Sequence, residues 1–162
     1  MSTTNDRDFS HLDETGGISM VDVGAKRTTQ REAVAVATVR MKPATLRKLI
    51  GQALPKGDVL TTAKIAGVLA AKQTSSLIPL THSLPLSSVD VTFDLEPDAG
   101  TIEVRSIVRC EGKTGVEMEA MTACAIASLT IYDMCKSAEK GISIDALQLV
   151  RKSGGKSGTW ER

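Results

Sequence analysis

One long apolar segment limits what this chain can fold into. Between Val116 and Lys136 the residues are mostly Ala, Met, Ile, Leu and Cys, which is typical of a helix that is buried on most sides. Ionisable residues nevertheless stand near both ends of this segment: Glu117, Glu119, Asp133 and Lys136. Because a buried charge is unfavourable unless it is paired, we expect these residues to belong to a catalytic site.

The segments around this helix follow a regular order. Patterns typical of strands cover 34–41, 89–95, 102–108 and 142–150, and patterns typical of helices cover 44–52 and 59–73. This order predicts an α+β fold of the ferredoxin-like, split β-α-β type, a sandwich in which helices cover one face of a four-stranded antiparallel sheet. Val34, Val36 and Val39 are too apolar for a sheet whose second face meets solvent, so we expect a homo-oligomer.

The chain length favours a single domain, since the sequence has 162 residues. We predict a flexible N-terminal segment over 1–18 and a single ferredoxin-like catalytic domain over 19–158. A basic, Gly-rich tail is predicted over 151–162, near the active site.

Composition argues against several classes of protein. The net charge of +1 provides no basic field for nucleic acid, and the 2% of aromatic residues leaves little for base stacking. The three cysteines lack C-x-x-C spacing, which argues against a disulfide scaffold or structural zinc. No apolar run approaches the roughly 20 residues that span a bilayer, and the first residues lack a signal core. We therefore expect a cytoplasmic protein.

Two short motifs lie in predicted loops. In Lys56-Gly57-Asp58, Asp58 is expected to cap the following helix, and Lys56 in the lead-in suits a phosphate group. His82 lies in the loop before the hairpin, where a structural histidine is the commoner case. No second His or Cys is spaced to form a metal site with it, so no metal ligands are predicted.

The two ends of the long helix are far apart. Each ionisable residue has a structural explanation by itself, since acids favour a first helical turn and Asp133 can pair with Lys136. Glu119 and Asp133 share one face within about 40° but lie ~21 Å apart along the axis. One small substrate cannot touch both in one subunit, so either the substrate is long or two subunits build the site.

The segment 152–158 contains Gly154-Gly155-Lys156-Ser157. It lacks the spacing of a nucleotide-binding phosphate loop, and no strand–loop–helix unit surrounds it. We therefore expect a flexible basic segment and not a P-loop.

Seven motifs together resemble the molybdenum cofactor biosynthesis protein C family, the cyclic pyranopterin monophosphate synthases. They occur in the family's order over nearly the whole chain: Met20–Val23, Lys56–Val59, Ile65–Gly67, Ile78–Leu80, Gly112–Ala120, Leu129–Lys136 and Lys152–Gly158. The resemblance implies a lyase that converts (8S)-3′,8-cyclo-7,8-dihydroguanosine 5′-triphosphate to cyclic pyranopterin monophosphate and pyrophosphate. It also implies a ferredoxin-like fold and hexamers, as trimers of dimers, with sites between subunits.

The resemblance also assigns roles to residues. Asp133 matches the general acid/base, with Lys56 and Lys136 as its catalytic partners. Substrate-binding positions are matched by Leu80, Thr81, His82, Glu117, Met118, Glu119, Arg31 and Lys152. A lysine beside another cation can have a lowered pKa and act as a base, which would suit a rearrangement that needs several proton transfers.

The chain departs from the family where Cys-His-Pro is replaced by Thr81-His82-Ser83. Thr81 keeps a polar donor without a thiol, and we expect activity to survive. The implied substrate comes from a radical-SAM GTP cyclase, no cofactor is required, and the need for Mg²⁺ is left open. An alternative is a non-catalytic ferredoxin-like oligomer that binds nucleotide phosphates, and a third class is an RNA-binding module of the same plan.

Overall fold

The computed structural model describes residues 16–162, so most of the predicted N-terminal segment lies outside the described residues. The elements are β1 (Thr29–Arg40), α1 (Pro43–Ile50), α2 (Val59–Lys72), α3 (Thr74–Leu77), β2 (Leu86–Glu96), β3 (Thr101–Gly112), α4 (Glu117–Cys135), β4 (Ser143–Ser153) and β5 (Trp160–Glu161).

The strands form one sheet in the order β2-β3-β1-β4-β5, and all neighbours are antiparallel. The predicted α+β class with an antiparallel sheet is therefore confirmed. The sheet has a fifth strand that the sequence did not predict, because Trp160 pairs with Lys152 and Glu161 pairs with Arg151. A two-residue strand after a Gly-rich loop is too short to show the alternation by which strands are recognised.

The core lies between the sheet and the helices. Ala33, Ala35, Ala37 and Val39 alternate along β1 and are buried beneath α4. Helices α2 and α4 pack closely because α2 has Gly67 at their contact, where an added Cβ would lie 2.9 Å from the carbonyl oxygen of Ala123. This close packing holds the middle of α2 against the middle of α4.

The valines of β1 were expected to leave the second face of the sheet apolar and in need of a partner subunit. Val34 and Val36 are already buried within the single chain, at 5% and 8% exposure. On the same face, Glu32 pairs with Arg109 and with Arg151. Val34 and Val36 therefore do not by themselves support the expected homo-oligomer, which stays a prediction.

The predicted cap of α2 is confirmed. The backbone N–H of Thr61 donates to Oδ1 of Asp58 at 3.0 Å, which satisfies one of the free amides in the first turn of the helix. The cap makes α2 begin at Val59, and Lys56 therefore lies in the turn that leads into the helix.

Helix α4 ends at Cys135, within one residue of the end of the apolar segment at Lys136. The amides of Ala138 and Glu139 both donate to the carbonyl oxygen of Cys135, which closes a turn. Residues 136–138 are exposed, so the segment gains no burial by continuing as a helix. Across residues 16–162, the structure contains no helix long and apolar enough to cross a membrane.

Candidate active site

A cavity of about 430 Å³ lies at the N-terminal end of α4. We call it the carboxylate cavity, because Glu117 and Glu119 line it. Six predicted substrate-binding residues meet there: Leu80, Thr81, His82, Glu117, Met118 and Glu119. The segment before β1 contributes Val21, Val23 and Lys26 to the lining of the same cavity.

The loop that carries His82 is held by short hydrogen bonds. The hydroxyl of Thr81 donates to the carbonyl oxygen of Ile78 at 2.9 Å, and its amide donates to the same oxygen at 3.2 Å. Nε2 of His82 lies 2.9 Å from the carbonyl oxygen of Val21. Since a carbonyl only accepts, this contact requires the proton on Nε2 and leaves Nδ1 of the neutral ring as an acceptor.

Two cations lie beside Glu117. Nζ of Lys152 donates to Oε1 of Glu117 at 2.9 Å. Arg31 donates from Nε and Nη2 to the carbonyl oxygens of Gly112 and Lys113, at 3.4 Å each. Arg31, Lys152 and Glu117 line a smaller cavity of about 30 Å³, and Glu117 also lines the carboxylate cavity. The strands thus bring Arg31 and Lys152 to the site that the sequence predicted for them.

Glu119 differs from Glu117 because it is buried. Its exposed fraction is 4%, and no ion pair joins it to another residue within 16–162. Burial raises the pKa of the Glu119 carboxyl, and the neighbouring Glu117 raises it further, against a lowering by its own backbone N–H. The cavity therefore contains one paired carboxylate and one unpaired carboxyl.

A second group, the lysine–aspartate cluster, lies at the C-terminal end of α4 and consists of Lys56, Asp133 and Lys136. Nζ of Lys136 lies 2.7 Å from Oδ1 of Asp133, and Nζ of Lys56 lies 2.8 Å from Oδ2. Nζ of Lys56 also donates to the backbone carbonyl oxygen of Asp133 at 3.0 Å. The three predicted catalytic residues thus form one cluster in which Asp133 contacts both lysines.

The electrostatics of this cluster correct two expectations. Hydrogen bonds from Lys136 and Lys56 lower the pKa of Asp133 to about 2, and Asp133 in turn raises the pKa of Lys136. The hypothesis of a lysine with a lowered pKa is therefore wrong for Lys136 in the single chain, because a carboxylate lies against its ammonium group. The side chains of Asp133 and Lys136 are also about half exposed. Of the ionisable residues on α4 that were expected to be buried, Glu119 is buried, whereas Asp133 and Lys136 are not.

The structure does not bring the two groups together. Glu119 and Asp133 lie near opposite ends of one helix, ~21 Å apart along its axis. Sequence reasoning missed Val21, Val23 and Lys26 as lining residues, because their segment has no periodicity. Only the motif Met20–Val23 pointed to it. Nζ of Lys113 holds this segment by donating to the carbonyl oxygen of Gly24 at 2.6 Å.

The described part of the chain contains neither a cluster of metal-ligating side chains nor an exposed thiol. Within residues 16–162, no three His, Cys, Asp or Glu side chains converge to hold a metal ion. All three cysteines are buried, and burial raises the pKa of Cys124 to about 12 and that of Cys135 to about 11. These thiols are therefore protonated at neutral pH, and a protonated thiol is a poor nucleophile.

Comparison with known proteins identifies the family. Residues 20–155 match the model of the MoaC family. Proteins named cyclic pyranopterin monophosphate synthase from Chloroflexus aggregans and Desulfatibacillum aliphaticivorans are 53% and 56% identical to the chain. These matches cover 95% and 93% of this chain, and 93% and 95% of the relatives. The synthase of Geobacter metallireducens is 54% identical over 95% of this chain and 96% of its own length. On this similarity over nearly all of its length, the chain belongs to the MoaC family.

Proposed function

We propose that this chain is a cyclic pyranopterin monophosphate synthase, a lyase of molybdenum cofactor biosynthesis. It converts (8S)-3′,8-cyclo-7,8-dihydroguanosine 5′-triphosphate to cyclic pyranopterin monophosphate and releases pyrophosphate. Proteins of that name share 53–56% identity with it over nearly their full length. The observation that carries the proposal is that all eleven predicted site residues fall into two groups at the ends of α4.

The site is proposed to be shared between two copies of the chain. This is supported by the ~21 Å that separates the groups, which a substrate in one subunit would have to bridge. Between them, α2 and α4 expose Ile65, Leu69 and Leu129 at 56%, 53% and 53%. Two copies packed through this face about a two-fold axis perpendicular to α4 would set the two α4 helices antiparallel. The carboxylate cavity of one copy would then face the lysine–aspartate cluster of the other.

The proposed roles follow from charge. A triphosphate has about four negative charges, and cations in a site stabilise the charge that develops as pyrophosphate leaves. Lys56 and Lys136 enter as ammonium groups and donate hydrogen bonds, while Asp133 holds both in position. Arg31 and Lys152 supply positive charge at the other end of the substrate. No resident cofactor is proposed, and any Mg²⁺ would arrive with the triphosphate.

The wider assembly follows the family pattern in this proposal. A ferredoxin-like domain forms two-fold dimers, and three dimers form a hexamer in the cytoplasm. The substrate is supplied by a radical-SAM enzyme that acts on GTP. The size of the assembly is measurable by light scattering, and a monomer that retained full turnover would contradict the shared site.

The function is tested by incubating the protein with the cyclic dihydroguanosine triphosphate and following pyrophosphate and pterin formation. Asp133→Asn and Lys136→Ala should each lower kcat by about 10²–10³-fold, the loss typical when a group that stabilises developing charge is removed or displaced. The matched control is Asp145→Asn, which removes an exposed carboxylate paired with Arg40 elsewhere on the sheet. Tight binding of the triphosphate without product would instead favour the non-catalytic binding oligomer.

A further inference from the structure

Glu119 is the only acidic or basic side chain in residues 16–162 that is buried. It lies in the first turn of α4, where an ionised acid would normally be favoured by the helix dipole. Its carboxyl nevertheless lies in the wall of the carboxylate cavity, at 4% exposure. A buried carboxylate without a cation is strongly unfavourable.

The charged neighbours of Glu119 do not compensate it. On its own helix, Glu117 is paired with Lys152. From β1, Arg31 donates to two backbone carbonyls. From β3, the buried thiol of Cys110 lies within electrostatic range of Glu119, and a thiol supplies no positive charge.

Two further titratable groups face the cavity from its loops. His82 comes from the loop before β2 and is in contact with the carbonyl oxygen of Val21. Lys26 comes from the segment before β1 and, within residues 16–162, forms no ion pair with Glu119. Neither loop therefore supplies the cation that an ionised Glu119 would need, so burial favours the protonated carboxyl.

The other end of α4 lacks a carboxyl that can give up a proton. Asp133 lies between two ammonium groups and is half exposed, so it is ionised throughout the neutral range. It can hold the lysines, but it has no proton to donate. If the rearrangement draws a proton from a carboxyl group, that group lies in the carboxylate cavity.

We propose that Glu119 is a catalytic residue that enters the reaction as the neutral acid and exchanges a proton with the substrate base. This inference rests on the proposed function. The O–H bond of Glu119 breaks as an N–H or O–H bond forms on a ring nitrogen or carbonyl oxygen of the purine-derived base. The carboxylate then takes up a proton released in a later step, so that Glu119 ends each turnover as the neutral acid.

The first test needs no turnover. The side-chain carboxyls are ¹³C-labelled at glutamate and titrated by NMR in the free protein. One resonance should titrate above the ordinary glutamate range, and it should be missing in Glu119→Gln and present in the control Glu103→Gln. A Glu119 resonance that titrates in the ordinary range overturns the proposal.

The second test separates a chemical role from a structural one. Glu119→Gln keeps the shape of the neutral acid, so it should fold normally and bind substrate with little change in KM. Its kcat should fall by about 10²–10⁴-fold. Glu119→Asp should recover part of this loss, and the control Glu103→Gln should keep the kcat of the unaltered protein. Unchanged kcat in Glu119→Gln overturns the catalytic role. If the unaltered protein forms no product, the proposed function fails, and the NMR titration still decides whether Glu119 is neutral.

Discussion

The Asp133 carboxylate is stabilised by two lysines from different parts of the chain. An acid in the last turn of a helix opposes the helix dipole, which favours cations at that end. Lys56 and Lys136 reverse this by donating to the two oxygens of the carboxylate. The helix therefore supplies only one of the two lysines, and the turn before α2 supplies the other.

The Asp133 carboxylate should respond to the loss of either lysine. We expect Lys136→Met to raise the Asp133 pKa from about 2 toward its usual 3.8, and Lys56→Met to raise it by less, because Lys136 has the larger effect. The folded-state pKa is depressed, so the cluster stabilises the fold above about pH 4, and this contribution is lost as the pH falls toward 2. NMR titration of labelled aspartate measures this, and an unmoved Asp133 pKa in both variants would contradict the assignment.

Thr81 has a defined structural role although it replaces a cysteine of the family pattern. Thr81→Val removes the hydroxyl that donates to Ile78 and leaves the shape unchanged, so it should lower the free energy of unfolding by about 1 kcal/mol. KM should rise, since this loop also positions His82. Thr81→Ser should preserve both values. Urea denaturation and steady-state kinetics measure them, and Thr130→Val, which removes a hydroxyl outside the site, is the control for KM.

At the scale of elements, β5 secures the residues next to the site. The amide of Arg162 donates to the carbonyl oxygen of Val150 at 3.0 Å, and Glu161 pairs with Arg151 at 3.0 Å. Between β4 and β5, Gly154 and Gly155 have positive φ, and side chains at either position would collide with β1 at Gln30 or Arg31. The β4–β5 hairpin therefore holds its loop against Arg31.

A chain that ends at Gly158 tests this role. Removing β5 should leave the core intact and loosen Lys152, so KM should rise about fivefold, equivalent to about 1 kcal/mol, while kcat changes little. Asp145→Asn, which frees an arginine in the same sheet far from Lys152, should leave KM unchanged. Unaltered KM in the shortened chain would mean that β4 holds Lys152 without help.

Element prediction worked where periodicity was long. The alternation along β2 and β3 and the apolar run of α4 each extend over many residues, so their existence was clear while their ends shifted by a few residues. The four-residue helix α3 and the two-residue strand β5 are too short for any period to appear. The segment with Val21 and Val23 has no regular structure at all, and its position depends on contacts with His82 and Lys113.

The site itself was predictable in part. Helical spacing gave the ~21 Å separation of Glu119 from Asp133. It could not reveal that Asp133 is exposed and Glu119 buried, because that depends on which side of α4 faces α2 and the sheet. The contact of Lys56 with Asp133 joins residues far apart in sequence, and no local pattern encodes it.

At the scale of the whole molecule, a shared site predicts complementation between inactive variants. Lys136→Ala and His82→Ala each damage one half of the site. In a random mixture half of the dimers are hybrids with one intact site each, so about a quarter of the original activity should return. Activity that stays at the level of the separate variants would show that each chain builds its own site.

The same experiment has an internal control in the apolar face. Leu129→Glu places a charge in the middle of the exposed patch of α2 and α4. Introduced into both variants, it should abolish complementation and shift the protein to a smaller species in light scattering. Restored activity in that background would mean that subunits meet through another surface.

Because every cysteine is buried, the folded protein should not react with thiol reagents. A maleimide needs an accessible thiolate, and Cys110, Cys124 and Cys135 offer neither access nor charge. A cysteine introduced at the exposed tip of the β2–β3 turn, as in Asp98→Cys, would therefore take up a fluorophore or spin label alone. Distances between labelled copies could then be read in solution with all native sulfur in place.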